Sequence, residues 1–275
     1  MRRRDLLGAG MALPLASGAF GAAAPTRGIR RLSPGLDAIL DADSPVEMLG
    51  GGYQWSEGPV WVPRGGGMLL FSDVPANRIW RWRRQHGFDL FLEPSGLAGP
   101  IPASIREAGA NGLTLDGRGR LLMADSGSRT VARLDFATRR KTVVVDRFEG
   151  KRFNSPNDLI VASDGALYFT DPPYGLAGEG ESPLRELDFC GVYRLGADGR
   201  LAVLDRTVTR PNGIALSPDE ATLYVAVSDP AGPVLFAYAL DARGIPTGRR
   251  VLADFAATFM PVSYTHLTLP TICSV

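Results

Sequence analysis

Four segments of the chain repeat one pattern of short strands and turns. They start at Glu57, Asn111, Asn157 and Asn212, about 50 residues apart. Each begins with a polar residue, followed by a short apolar strand, a turn that contains Gly or Asp, and a second apolar strand. A repeat of this length built from four antiparallel strands is typical of a β-propeller blade. We therefore expect an all-β propeller fold, with about four blades in this chain.

Local sequence signals predict the individual strands. Short apolar or β-branched runs between turn-forming residues are typical of strands. They occur at residues 121–124, 131–134, 167–170, 191–195, 223–227 and 234–240. The turns predicted at Asp116–Gly117, Asp164–Gly165 and 217–219 would join the first two strands of their repeats. Because no long apolar run of helical period follows the N-terminal region, we expect few helices.

The first 24 residues have the features of an export signal. Three arginines precede an apolar run that ends in small residues, and Arg3, Arg4, Leu6 and Leu7 fit a twin-arginine motif. We expect residues 1–24 to be a twin-arginine-like signal peptide, with ordinary Sec export as the alternative. The mature protein would then be periplasmic or secreted. Since later apolar runs are too short to cross a bilayer, we expect no membrane span.

The sequence pattern changes at Val262. Residues 262–275 lack the Gly, Asp and alternating apolar residues of the preceding repeats, which indicates a non-native tail. A genuine C-terminal strand is the alternative interpretation. The remaining domain boundaries would be an N-terminal extension at 25–44 and the propeller, as an incomplete ring, at 45–261.

The composition argues against several classes of function. The chain has 30 Lys and Arg against 29 Asp and Glu, a net charge of +1 at pH 7, so we expect no nucleic-acid partner. It contains two histidines and two cysteines, of which His266 and Cys273 lie in the predicted tail. His86 and Cys190 remain, and they can form neither a histidine dyad nor a disulfide.

The residues that open the four repeats predict a cation site. The innermost strand of each propeller blade runs along the central axis, so Glu57, Asn111, Asn157 and Asn212 would face one channel. Burying unpaired polar groups costs several kcal/mol, and a bound cation would offset that cost. An all-oxygen ligand set favours a hard cation such as Ca²⁺. Alternatively, the asparagines serve only to form turns.

Several motifs together resemble a known family. They are SEGPVW at 56–61, ANGLTLDGRGRLL at 110–122, SPNDLIVASDGALYFTDPPYGL at 155–176 and RPNGIALSPDEATLYVA at 210–226. Over roughly residues 45–260 the chain resembles the senescence-marker-protein / gluconolactonase / luciferin-regenerating enzyme family. This resemblance implies a six-bladed propeller with an axial divalent metal. It also implies hydrolysis of a lactone, most often a sugar lactone.

The resemblance assigns roles to particular residues. It implies that Glu57, Asn157 and Asn212 bind the metal, and that Asn157 also approaches the substrate. With the loop and channel positions included, the predicted substrate-binding residues are Trp55, Asn111, Arg152, Asn157, Asp171 and Tyr174. The family's general base is an aspartate that opens the next blade, and we expect this sequence to end before it, at about Met260. The catalytic residue is therefore unknown, and we expect impaired activity.

Other functions remain open at this point. One is a non-catalytic periplasmic propeller that binds a sugar or lactone, and another is a strictosidine-synthase-like enzyme, whose fold uses no axial metal. Asp171 and Tyr174 stand in a proline-containing turn that is either a substrate contact or purely structural. Residues 94–108 and 177–188 are long connections that could form a lid. Asp73, Asp125 and Asp229 repeat after second strands and are predicted to be caps or Asx-turns.

Overall fold

The structure is a computed structural model that describes Ile29, Arg31 and residues 33–256. The predicted signal at 1–24, the predicted tail at 262–275 and the predicted change near Met260 lie outside these residues. The chain divides into two units, residues 1–49 and residues 50–275.

In the first unit, a short 3₁₀ helix spans Pro34–Ala38. Ser33 caps it, because the Ser33 hydroxyl accepts a hydrogen bond from the Gly35 N–H at 3.2 Å. Arg31 forms an ion pair with Asp37 in the first turn. The Ser33 cap satisfies one of the N–H groups that the start of a helix leaves without partners.

The second unit consists of four four-stranded antiparallel sheets and a two-stranded ribbon in the described residues. Blade 1 contains β1 (Ser56–Val62), β2 (Met68–Asp73), β3 (Arg78–Arg83) and β4 (Gly87–Leu92). Blade 2 contains β5 (Leu113–Leu115), β6 (Leu121–Asp125), β7 (Thr130–Leu134) and β8 (Lys141–Val145). The ribbon is β9 (Arg147–Phe148) with β10 (Lys151–Arg152). Blade 3 contains β11 (Leu159–Val161), β12 (Leu167–Asp171), β13 (Gly191–Leu195) and β14 (Leu201–Asp205). Blade 4 contains β15 (Pro211–Leu216), β16 (Thr222–Val227), β17 (Val234–Leu240) and β18 (Pro246–Asp254).

The predicted all-β propeller is confirmed. Every predicted strand run lies within a strand, and the 191–195 and 234–240 runs coincide with β13 and β17. The predicted hairpin turns also occur, for example where the Gly119 N–H donates to the Asp116 carbonyl. The helices of the described residues are two 3₁₀ turns, Pro34–Ala38 and Glu179–Glu181. None of the described helices has the length and apolar character needed to cross a membrane.

The hydrophobic core lies between neighbouring blades. Leu70 and Ile79 of blade 1 pack in one cluster with Leu121 and Leu134 of blade 2. Similar clusters join blade 2 to blade 3 and blade 3 to blade 4. The second strands lie between two such clusters, so β6 and β12 are buried along their whole length. This explains why they read as continuous apolar runs rather than as alternating strands.

The innermost strands contact one another in chain order, β1 to β5, β5 to β11 and β11 to β15. Each blade is antiparallel, so the end of its second strand lies beside the start of its first. In blade 1, Ser56 pairs with Asp73. The residues that open the repeats therefore lie at the same end of the blades as the β2–β3, β6–β7 and β12–β13 loops.

Close approach between inner strands requires glycine at position 58. Gly58 has a φ of +51°, and a Cβ there would lie 2.4 Å from the carbonyl oxygen of Asn111. We expect Gly58→Ala to lower the free energy of unfolding by about 1–3 kcal/mol, because it forces two backbones apart. Urea unfolding of the purified chain measures the change.

Gly117→Ala is the matched control. No atom lies within 4 Å of a Cβ built at Gly117, so we expect a change within about 0.5 kcal/mol. Equal losses in the two variants would contradict the close-approach argument.

Candidate functional site

The four opening residues lie in the inner strands of neighbouring blades or just before them, with Glu57 and Asn212 inside β1 and β15 and the other two shortly before β5 and β11. Glu57, Asn111, Asn157 and Asn212 are all buried. Gly58 abuts the main chain of Asn111, which places Glu57 beside the start of blade 2. We call this set the inner arc.

Hydrogen bonds between blades continue the inner arc from Asn111 to Asn212. The Gly112 N–H donates to the Asn157 carbonyl at 2.7 Å. The Thr170 hydroxyl, from the strand paired with the start of blade 3, donates to the Asn212 carbonyl at 2.7 Å. In the same way, the Ser72 hydroxyl donates to the Asn111 carbonyl at 2.7 Å. These bonds use main-chain oxygens, so the side-chain amides are not needed to hold the asparagines in place.

The inner arc fits a hard cation by its donor chemistry. Glu57 supplies a carboxylate, and Asn157 and Asn212 supply amide oxygens, which are ligands that Ca²⁺ accepts. Ca²⁺ takes about six to eight oxygens, so these three side chains would provide part of the coordination shell. Among the residues that the structure describes, no three His, Cys, Asp or Glu side chains form a cluster suited to a metal. A cation on the inner arc would therefore depend on amide oxygens.

A carboxylate at the end of the second strand holds the segment before the opening residue in two blades. In blade 1, Asp73 accepts hydrogen bonds from the N–H groups of Gln54 and Trp55 at 3.2 and 3.0 Å. In blade 3, Asp171 accepts from the N–H groups of Asn154 and Ser155, both at 2.8 Å. Trp55 thus lies two residues before Glu57, just as Ser155 lies two residues before Asn157.

The prediction of caps or Asx-turns is confirmed at Asp125 and Asp229, whereas Asp73 accepts from N–H groups 18 and 19 residues earlier in the chain. Asp125 accepts from the Ser128 N–H at 2.9 Å, and Asp229 accepts from the Ala231 N–H at 3.0 Å. Asp125 also forms an ion pair with Lys141 at 2.7 Å. Asp125 and Asp229 fix the loops that come next, whereas Asp73 fixes the segment before Glu57.

Asp171 is fully buried, and it holds the segment before Asn157 in the same way as Asp73 holds the segment before Glu57. Burial raises the pKa of Asp171 to about 7, although the hydrogen bonds from Asn154 and Ser155 oppose the rise. Its two oxygens accept from main-chain groups, so the carboxylate supports the loop before Asn157. Direct substrate binding by Asp171 stays a prediction.

The other predicted substrate residues lie at different places around the inner arc. Trp55 is partly buried just before β1. Arg152 lies on the β9–β10 ribbon, where its guanidinium donates to the Ser128 carbonyl at 2.5 Å and its N–H donates to Glu186 at 2.8 Å. Asn111 lies within the inner arc, whereas Arg152 is fixed to the loop of blade 2. Their contacts with substrate stay predictions.

Tyr174 is positioned next to blade 4. Its hydroxyl donates to the Arg210 carbonyl at 3.4 Å, and the Arg210 guanidinium lies 5.7 Å from the centre of its ring. Burial raises the pKa of the Tyr174 hydroxyl above its ordinary value. Since Arg210 precedes Pro211 and Asn212 in the chain, Tyr174 lies close to the inner arc.

The two predicted lid segments pair with each other. Ile105 of the β4–β5 loop forms an antiparallel bridge with Leu176 of the β12–β13 loop. Arg106 and Arg210 both form ion pairs with Glu179, at 2.7 and 2.6 Å. The three charged residues join these two loops to the start of blade 4. We call this set the loop clasp.

The loop clasp extends to a buried carboxylate. Glu107 is almost completely buried and pairs with Arg106 at 2.8 Å. Burial raises the pKa of Glu107, and the hydrogen bond from Arg106 opposes the rise. Each arginine of the clasp therefore faces at least one carboxylate.

Sequence reasoning missed Asp158, which follows Asn157 directly. Asp158 accepts hydrogen bonds from the Ile214 N–H at 3.0 Å and from the Leu159 N–H at 2.9 Å. Burial raises the pKa of Asp158 to about 6, while these two hydrogen bonds oppose the rise. One signal in the sequence could have identified it. Glycine follows the opening residue in the other three repeats, at Gly58, Gly112 and Gly213, whereas the third repeat has an aspartate there.

A cavity of about 350 Å³ lies at the opposite end of blades 3 and 4. Its lining includes Ser163 and Asp164 from the β11–β12 turn of blade 3, together with Glu220 and Asp241 from the β15–β16 and β17–β18 turns of blade 4. All three turns lie at the end of the blades that is opposite to the opening residues. The cavity is therefore separate from the inner arc.

Comparison with known proteins identifies relatives of the chain. Residues 55–261 match the model of the SMP-30/gluconolactonase/LRE-like region. A gluconolactonase of Zymomonas mobilis is 47% identical over 93% of this chain and 76% of its own length. A solved gluconolactonase of Xanthomonas campestris is 37% identical, with a TM-score of 0.62, over 74% of this chain and 64% of that one.

A more distant structure supports the fold alone. Regucalcin of Agrobacterium tumefaciens, a calcium-binding protein, is 21% identical to this chain, with a TM-score of 0.56. The alignment covers 76% of this chain and 63% of regucalcin. The likeness confirms the arrangement of the blades.

The raised pKa of Asp171 predicts a pH dependence of stability. A carboxyl group whose pKa is higher in the folded state binds its proton more tightly there, so stability falls as pH rises from about 4 to about 7. We expect the unfolding free energy to decline between pH 5 and pH 8, and to decline less in Asp171→Asn. Urea unfolding at a series of pH values measures both slopes, and parallel slopes would contradict the assignment.

The loop clasp predicts coupled motion of its two loops. Glu179→Gln removes the charge that Arg106 and Arg210 share, so we expect faster amide exchange in residues 97–108 and 172–190. Because the pair is partly exposed, the loss of global stability should stay below about 1 kcal/mol. Hydrogen-exchange mass spectrometry measures the loops separately.

Glu181→Gln is the matched control for the loop clasp. Glu181 is exposed and lies two residues further along the same 3₁₀ turn. It should leave exchange in both loops unchanged. A similar acceleration in the two variants would show that the shared charge at Glu179 does not hold the loops.

Proposed function

The chain belongs to the SMP-30/gluconolactonase/LRE-like family, and we propose that it hydrolyses a sugar lactone with the help of a divalent cation. Family membership and the extensive identity to a gluconolactonase make the chain a hydrolase that acts on a cyclic ester. The sugar lactone and the cation requirement are the finer parts of the proposal. The observation that carries them is the inner arc, where buried residues with oxygen donors open adjacent blades.

In this proposal, Glu57, Asn157 and Asn212 hold the cation, with Ca²⁺ as the expected ion. A bound divalent cation supplies Lewis-acid polarisation of the lactone carbonyl and stabilises negative charge on its oxygen. Glu57 brings a full negative charge to the site, whereas the two asparagines bring neutral amide oxygens. Hydrogen bonds between blades hold the main chain at Asn157 and Asn212, and a site of this kind requires such a fixed arrangement.

Other residues of the same face bind and orient the sugar. Asn111 lies between Glu57 and Asn157 in the inner arc, and its amide can donate to or accept from a hydroxyl group. Trp55 offers a partly buried indole face, and sugar rings present C–H groups that pack on such surfaces. Tyr174, held by the main chain of Arg210, forms the border of the site next to blade 4.

Neither Asp158 nor Asp171 is suited to activate water. Each carboxylate accepts two main-chain N–H groups, and taking a proton from water would weaken those bonds. Both therefore act as supports for neighbouring loops and strands. We assign the general base to none of the described residues.

We place this activity in the periplasm or outside the cell. The support is the twin-arginine-like pattern of Arg3, Arg4, Leu6 and Leu7 followed by an apolar run. A twin-arginine or Sec pathway would then export the chain. Fractionation of cells that express the tagged chain, with Arg3 and Arg4 changed to Lys as the comparison, tests the location.

Replacing Glu57 tests the proposed function. We expect Glu57→Gln to lower kcat/KM for glucono-δ-lactone by at least about 100-fold, because loss of a ligand should exceed the effect of losing a residue that supports one. A pH-indicator assay, corrected for spontaneous hydrolysis, follows acid release with added Ca²⁺ and after chelation. Chelation should abolish the wild-type rate.

Glu47→Gln is the matched control, since it makes the same chemical change at an exposed position. It should retain the wild-type rate. A wild-type rate that survives chelation and the loss of Glu57 would contradict the cation requirement. If the wild-type chain shows no hydrolysis above background for a panel of sugar lactones, the substrate assignment fails.

A further inference from the structure

One threonine joins the inner strands of blades 3 and 4. Thr170 is fully buried in β12. Its hydroxyl donates to the Asn212 carbonyl at 2.7 Å and accepts from the Asp158 N–H at 3.1 Å. Its main-chain carbonyl accepts from the Asn157 N–H at 2.9 Å. Thr170 therefore contacts the main chain on both sides of the boundary between the two blades.

Asp158 makes a second connection across the same boundary. One oxygen of its carboxylate accepts from the Ile214 N–H of blade 4 at 3.0 Å, and the other accepts from the Leu159 N–H of its own blade at 2.9 Å. On the opposite side, Gly112 of blade 2 leaves space for this carboxylate, because a Cβ at Gly112 would lie 2.5 Å from it. The acid is thus enclosed by three inner strands.

The two connections flank Asn157 and Asn212. Asp158 follows Asn157, and Ile214 lies two residues after Asn212. With Thr170 bound to the Asn212 carbonyl and to the Asn157 N–H, the backbones of both asparagines are fixed relative to each other. Neutral amide ligands attract a cation weakly as individual groups, so their mutual distance decides how well they bind it.

We propose that Thr170 and Asp158 are positioning residues that hold Asn157 and Asn212 at the spacing a divalent cation needs. The inference rests on the proposed function, since it takes these asparagines as cation ligands. Neither positioning residue contacts the ion. They act through the backbone of the two ligands, as outer-shell partners do at other metal sites.

The sequence pattern of the repeats supports a special role for this boundary. Asp158 stands where the other three repeats have glycine, although glycine avoids the cost of burying a carboxylate. At the boundary of blades 1 and 2, Ser72 makes the same hydroxyl-to-carbonyl bond as Thr170, but it does so to Asn111. Replacing Ser72 therefore removes a similar hydrogen bond without touching Asn157 or Asn212, and it separates a loss of stability from a loss of cation binding.

The experiment compares Ca²⁺ binding by the full chain with Thr170→Val, Thr170→Ser and Ser72→Ala. Isothermal titration calorimetry with Ca²⁺ alone gives Kd, and thermal unfolding without Ca²⁺ gives Tm. We expect Thr170→Val to weaken Ca²⁺ binding by about 10-fold or more, the range for outer-shell partners. Thr170→Ser keeps the hydroxyl and should restore the affinity.

Ser72→Ala removes an equivalent buried hydrogen bond, so we expect the Tm of this variant to fall, as we also expect for Thr170→Val. Ser72 also pairs with Glu57 in the β1–β2 ladder, but alanine keeps that main-chain pairing and Asn111 is outside the proposed ligand set, so the Ca²⁺ affinity should stay at the wild-type value. Equal weakening of Ca²⁺ binding by Ser72→Ala and Thr170→Val would overturn the inference. Unchanged binding in Thr170→Val would overturn it as well.

Asp158→Asn serves if Thr170→Val does not fold. It keeps the size of the side chain but places an NH₂ group against one of the two N–H donors, and it should also weaken Ca²⁺ binding by about 10-fold. Wild-type affinity in folded Asp158→Asn would overturn the role of Asp158. If the wild-type chain itself binds no Ca²⁺, the cation proposal has failed and the inference falls with it. Lactone hydrolysis is measured separately. Failure of the proposed function can therefore be distinguished from a wrong assignment of the positioning residues.

Discussion

Hydrogen bonds across the boundaries between neighbouring blades are the constraint on which the candidate site depends. The Asn157 carbonyl accepts from Gly112, and the Asn212 carbonyl accepts from Thr170. The backbones approach so closely at these boundaries that Gly58 and Gly112 have no space for a side chain. The opening residues are therefore carried by a closely packed and hydrogen-bonded backbone.

Carboxylates support this arrangement from the second strands. Asp73 and Asp171 each use two oxygens to hold the two residues that come shortly before an opening residue. A short acid at the end of a buried strand can accept two consecutive N–H groups, which a hydroxyl group does less well. The same device in two blades explains why aspartate recurs at this point in the repeats. It also explains why recurrence alone does not identify a catalytic acid.

The sequence allowed much of the fold to be predicted because the relevant signals are local. Strands such as β13 and β17 and the turn at Asp116 follow from residues within a few positions of one another. The pairing of Ile105 with Leu176 and the ion pairs of Glu179 with Arg106 and Arg210 could not be predicted. They join residues 71, 73 and 31 positions apart, in loops without a periodic pattern.

The candidate site was predictable in its residue types but not in its supports. The polar residues that open the repeats stood out because each occupies the same place in its repeat. Asp158 and Thr170 did not, since their roles depend on Ile214 and Asn212 in the next blade. Asp171 was predicted from its turn to be either a substrate contact or purely structural, and its bonds to the Asn154 and Ser155 N–H groups, 17 and 16 residues earlier, carried no local signal.

A ligand set with one carboxylate and two amides places more weight on geometry than on charge. Several carboxylates would attract a divalent cation from a distance and tolerate some movement. With Glu57 as the single acid among the predicted ligands, the amide oxygens of Asn157 and Asn212 must be held at a suitable separation before the ion arrives. The nearby carboxylate of Asp158 accepts main-chain N–H groups instead. In the proposed site, Asp158 thus joins blade 3 to blade 4 instead of binding the ion, and this connection helps to set the separation of the two amides.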